Sequence, residues 1–188
     1  MSILPILAYG DPVLREKARF IEPEHPGLPQ LIEDMWETMY KAQGVGLAAP
    51  QVGQAIRLFV IDARPFADEE PGLSEFKQVF INPEILEQSG QPWLFNEGCL
   101  SFPELREDIR RQPTIRMRYQ DEHFERFEES FSGLKARIIQ HEYDHIEGIL
   151  MVDHFSPLKK RLLRKRLANI MQGQVAASYP MKFTSRKR

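Results

Sequence analysis

Residues 138–148 read IIQHEYDHIEG, and they hold two of the chain's five histidines four residues apart. On a helix, positions i and i+4 lie one turn apart on the same face. His141 and His145 would therefore aim both imidazoles at one point. Glu142, one residue on and rotated by about 100°, would reach whatever is held there. This H-E-x-x-H pattern reads as two metal ligands plus a general base. The bland alternative is two surface histidines on an ordinary helix.

A catalytic metal usually takes three protein ligands and keeps one position open. Cys99 is the strongest candidate for the third. It sits in NEGCLSF, a tight glycine-bearing segment rather than an apolar run, and thiolate is a strong ligand for first-row divalent metals. His154 stays open as an alternative, though close to the motif's end. His25 and His123 lie in a polar loop and a turn, where solvation is expected. A further segment, GVGLAAPQVG (44–53), is built of small residues up to Gln51. Glycines there would let a ligand or another strand approach the backbone. A tight helix-to-strand connection is the plainer reading.

These groups need elements to position them. Asp11 and Pro12 open a short helix. Leu28, Leu31, Ile32, Met35, Trp36 and Met39 recur at helical spacing, so LPQLIEDMWETMYKAQG is an amphipathic helix closed by Gly44. IRLFVID (56–62) is a buried strand, and residues 63–76 form a long polar loop. KQVFINPEIL is a second strand ending near Asn82-Pro83. TIRMRYQD (114–121) alternates as a half-buried strand and forms a hairpin with HFERFEES. The H-E-x-x-H helix begins near Ser132 with Leu134 and Ile138 on the histidine stripe, and Gly148 ends it. Ser156-Pro157 opens an amphipathic basic helix running to Gly173. One short edge strand is expected in VAASYPMKF. The fold class is α+β: small antiparallel sheets around a central metal-binding helix, with a C-terminal basic helix. A single domain over 1–173 and a tail over 174–188 are expected.

Composition narrows the classes. A chain of 188 residues, 42% hydrophobic and 28% charged, suits one globular domain. No apolar run approaches the roughly 20 residues that span a bilayer, and the start lacks the marks of a signal peptide. A cytoplasmic protein with no membrane partner is expected. Cys99 is the one cysteine, so no internal disulfide can form. The net charge of -2 hides an asymmetry: all 27 acids fall at or before Asp153, while residues 154–188 hold 10 bases and no acid. That block suggests an anionic partner or a contact with the acidic body.

GVGLAAPQ (44–51), EGCLS (97–101) and QHEYDHIEG (140–148) stand in this order and are complete. On these three boxes the chain resembles the peptide deformylase family, over roughly residues 1–165. The resemblance implies a hydrolase that removes the formyl group from N-formyl-methionyl nascent polypeptides, releasing formate. It implies metal ligation by Cys99, His141 and His145, with Fe2+ as the metal and Zn2+ or Ni2+ as substitutes. It makes Glu142 the proton carrier, and the Leu100 N–H and the Gln51 amide the donors to the oxyanion. Val45 and Gly46 would pair with the substrate backbone. Val45, Leu134 and Ile138 are candidates for the wall of the methionine slot, each with a plain core reading. Glu97 and Arg106 flank the cysteine segment and would support it; a surface ion pair is the alternative. The basic helix would dock on the ribosome, where such substrates emerge.

Two rivals remain from the residues alone. A zinc peptidase of the H-E-x-x-H type would take a third Glu or His ligand and would not need Cys99. A structural metal domain would supply four protein ligands, and only three are found here.

Overall fold

The computed structural model describes residues 2–184. The last four residues of the expected tail therefore lie outside the described residues. The chain runs β1 (Ile6–Leu7), α1 (Leu28–Lys41), β2 (Gly46–Ala48), β3 (Leu58–Asp62), β4 (Lys77–Ser89), β5 (Trp93–Cys99), β6 (Phe102–Arg111), β7 (Thr114–Gln120), β8 (Arg126–Ser132), α2 (Gly133–Ile146), α3 (Pro157–Met171) and β9 (Met181–Lys182), with short 3-10 turns between. Mixed helices and antiparallel sheets make the fold α+β, as expected.

The main sheet has the order β2-β3-β4-β7-β8, antiparallel throughout, with β2 at one edge. Side chains alternate across a strand, and β3 shows the result. Phe59 and Ile61 face a core shared with Phe80, Met117, Phe131 and the α2 residues Ala136, Ile139 and Ile146. Leu58 and Val60 face the opposite core, with Leu28, Ile32, Met35 and Met39 of α1. The sheet is thus enclosed by α1 and α2, which is why all five residues of β3 are buried. β5 and β6 form a separate hairpin. Phe102, Leu105 and Ile109 of β6 pack against Leu167 and Ile170 of α3 in a third core.

Several local expectations hold. Asp11 caps the first turn by accepting from the Val13 amide, and Ser156 caps α3 by accepting from the Lys159 amide. β7 and β8 form the expected hairpin.

Two boundaries and one pairing differ. α1 is ended by Gln43 in the left-handed region (φ 56°) rather than by Gly44. β4 does not stop at Asn82-Pro83 but continues to Ser89. A bulge between Ile81 and Glu84 absorbs the proline, which has no N–H to give the ladder. Asn82 holds the bulge with φ 49°, accepting from the Ile21 amide and donating to the Ile21 carbonyl and to Gln120. The β5–β6 hairpin was not foreseen as a pair, because residues 93–111 mix charges with apolar residues on a ribbon half exposed to solvent.

Candidate metal centre and cleft

α2 carries both histidines of the motif, and one turn of helix puts their rings 5.3 Å apart. The β5–β6 turn brings up Cys99. The ligand atoms of Cys99, His141 and His145 all lie within 4.8 Å of one another, and the Cys99 sulfur is 3.3 Å from His145 Nε2. Ligands placed tetrahedrally around a cation at zinc-like bond lengths stand about 3.3–3.6 Å apart, so the trio fits such an ion. The donor set, one soft thiolate and two imidazoles, suits a first-row divalent metal.

Protonation agrees. Burial raises the Cys99 thiol, but His145 and then His141 outweigh it and bring its pKa to about 5. The sulfur is therefore a thiolate at neutral pH, the form that binds metals. His141 feels burial downwards, yet Cys99 and Glu97 hold it well above the ordinary imidazole value. Glu97 accepts from His141 Nδ1 at 2.9 Å, which orients the ring and leaves Nε2 for the centre.

Glu97 is itself deeply held. Arg111 donates to both its oxygens and Arg137 donates to one, all within 3.1 Å. Burial would raise this carboxyl, but His141 and Arg111 keep it far below the carboxylate range. Arg111 also reaches Asp144, which holds His154. That pairing places His154 in the outer network rather than among the three clustered ligands. Arg106 is not a partner of Glu97. It donates to the side chain and carbonyl of Asn96 from the exposed side of the hairpin, so it steadies β5 from outside. The buried cations on Glu97 are Arg111 and Arg137, which the sequence reading passed over. Arg137 had a signal: it lies four residues before His141, on the stripe that faces inward.

Glu142 is 4% exposed and its Oε2 has no partner among the described residues. Burial, first, carries its pKa up to about 7 against the pull of His141 and His145. Its other oxygen packs on Gly46, where a Cβ would come within 2.3 Å of it. The glycine of the small-residue box thus makes room for the carboxyl.

Gln51 is fixed at both ends. Its Oε1 accepts from the Ala48 amide, and its Nε2 reaches the Ser101 hydroxyl at 3.2 Å and the Cys99 sulfur at 3.7 Å. It therefore stands beside the metal-binding trio, with Leu100 in the adjoining turn.

A cleft of about 380 Å³ opens on these groups. Val45, Gly46, Gln51, Glu97, Cys99, Leu100, Arg106, Ile138, His141 and Glu142 all border it. Leu134 does not: it packs into the core below, and its backbone N–H is taken by Glu70. Phe66, from the long loop, lines the cleft instead, and so does Tyr179 from the tail. Neither had a signal in the sequence, since only tertiary packing brings them there.

Comparison with known proteins gives the family. The sequence profile described as polypeptide deformylase matches residues 3–161. A peptide deformylase of Christiangramia forsetii is 55% identical, over 99% of this chain and 98% of its own length. One from Salinibacter ruber is 47% identical, over 95% and 94%. The crystal structure of peptide deformylase from Thermotoga maritima, 42% identical, superposes with a TM-score of 0.75 over 84% of this chain and 100% of its own.

Proposed function

The chain belongs to the polypeptide deformylase family and is an enzyme of that kind, and we propose that it removes the formyl group from N-formyl-methionyl nascent polypeptides with a divalent cation held by Cys99, His141 and His145. The observation that carries this reading is the trio of ligand atoms with an unpartnered, buried glutamate oxygen beside it. A cation there supplies Lewis acidity and makes water nucleophilic at neutral pH. Fe2+ is the native metal in this reading, with Zn2+ or Ni2+ able to replace it; the donor set suits all three.

The chain's own residues do the rest. Glu142 Oε2 takes the proton of the attacking water and passes it to the leaving amine nitrogen. The Gln51 Nε2 and the Leu100 N–H donate to the oxyanion of the tetrahedral stage. Removing such a donor costs about 2.7–4 kcal/mol of transition-state stabilisation. β2 is an edge strand at the cleft, so the substrate backbone adds to it at Gly46, next to Val45, whose own carbonyl accepts from the Asp62 amide. Val45 and Ile138 form part of the wall for the methionine side chain. The basic α3 faces solvent with Lys160, Arg161, Arg164 and Lys165 and is the surface for ribosomal contact, in the cytoplasm.

The test is formate release from a formyl-Met peptide by anaerobically prepared protein, beside Glu142→Ala. Release by the parent protein, reduced by several orders of magnitude in the variant at equal metal content, supports the reading. A folded, metal-loaded parent that releases no formate sinks it.

A further inference from the structure

The profile that identifies the family stops at residue 161, yet a residue well beyond it touches the cysteine turn. Tyr179 donates its hydroxyl to the Leu100 carbonyl at 2.9 Å and borders the cleft. The turn it touches is an unusual one. Gly98 pairs with Arg106 but Cys99 pairs with Phe102, so residues 103–105 bulge out of β6, with Glu104 in the left-handed region at φ 60°. A turn set on a bulge has few ladder bonds to fix it, and the structure supplies others from both chain ends.

The Ser101 carbonyl, next to that of Leu100, accepts from the Tyr9 amide at 2.9 Å. Tyr9 follows β1, and β1 pairs in parallel with β9, Ile6 opposite Met181 and Leu7 opposite Lys182. The Ile6 amide donates to the Pro180 carbonyl and the Ala8 amide to the Lys182 carbonyl, each at 2.9 Å. So Tyr179 is laced in place by the same strand that holds Ser101. From the other side, Gly44 leaves room for the Leu100 side chain; a Cβ there would come within 2.8 Å of it. Burial raises the Tyr179 phenol to about 12, so it is the protonated donor at neutral pH.

We propose that Tyr179 is a positioning residue for deformylation: its hydrogen bond to the Leu100 carbonyl holds the Leu100–Ser101 turn in register with the metal-binding trio and Gln51. This rests on the deformylase reading above, in which the Leu100 N–H meets the oxyanion. A donor that matters only in the transition state changes kcat and leaves KM alone.

Tyr179→Phe removes the hydroxyl and keeps the ring. Formate release from a formyl-Met peptide is measured with the variant and the parent enzyme, at matched metal content. For Tyr179→Phe the expected result is a kcat lower by about three- to tenfold, the range of one net hydrogen bond, with KM unchanged and the melting midpoint within about 2 °C. Unchanged kinetics in Tyr179→Phe, a rise in KM alone, or a loss that tracks a lowered melting midpoint overturns the proposal. An inactive parent enzyme overturns the deformylase reading instead, so the two failures are distinct.

Discussion

At the scale of single residues, the site is held by complementary sizes as much as by charges. The Glu142 carboxyl lies against the Cα of Gly46, where there is no space for a methyl group. Gly46→Ala should therefore displace the carboxyl without unfolding β2, whose backbone conformation an alanine can adopt. A shift of about 1 Å in a catalytic group costs roughly 100-fold, and a loss of that order in kcat is expected. Formate release at unchanged circular dichroism and metal content checks this. The residues proposed to do chemistry were legible because they form short local patterns: two histidines and a glutamate on one helix, a cysteine in a glycine-bearing turn. Arg111 and Arg137 were not, because their importance lies in which buried carboxylate they meet. Leu134 and Ile138 share a stripe in sequence, and only packing separates the core residue from the one at the cleft.

At the scale of elements, α2 depends on a segment far from it in sequence. Ser132 stands at its N-cap position but makes no side-chain cap. Glu70, from the long loop, accepts from the Leu134 amide at 3.0 Å instead. A carboxylate at a helix N-terminus satisfies an orphan donor and opposes the positive end of the dipole. The same loop sends Phe66 to the cleft, so its length serves the helix that carries His141 and His145. Glu70→Ala should cost about 1 kcal/mol of stability, the usual value of a lost cap, seen as a lowered urea midpoint with an unchanged m-value. The sequence announced α1, β3, β7, β8, α2 and α3 through periodicity and caps. It did not announce β4 past Pro83, since a proline ordinarily ends a strand and the bulge that absorbs it is a tertiary arrangement with Ile21 and Gln120.

At the scale of the whole molecule, the charge is divided. All 27 acids lie at or before Asp153, while residues 154–188 carry 10 of the 25 bases and no acid. On α3, Lys159 pairs with Glu107 and Arg166 donates to the Glu104 carbonyl, which ties the helix to the body near the cysteine turn. Lys160, Arg161, Arg164 and Lys165 point to solvent. Replacing Arg161, Arg164 and Lys165 by Glu should abolish co-sedimentation with ribosomes at low salt and leave formate release from a free peptide unchanged. Binding by the parent enzyme should weaken steeply as salt rises, as contacts to phosphate do.

The pairing of β1 with β9 joins the two ends of the chain. Closing so long a loop is entropically costly, and contacts of such separation form late. In order of synthesis, β9 follows both α2 and the cysteine hairpin. The trio can therefore assemble before β9 is in place, but the turn beside it receives its last two restraints only when β1 and β9 pair. A molecule caught before β1 and β9 meet would hold the trio and yet turn over more slowly than the finished fold.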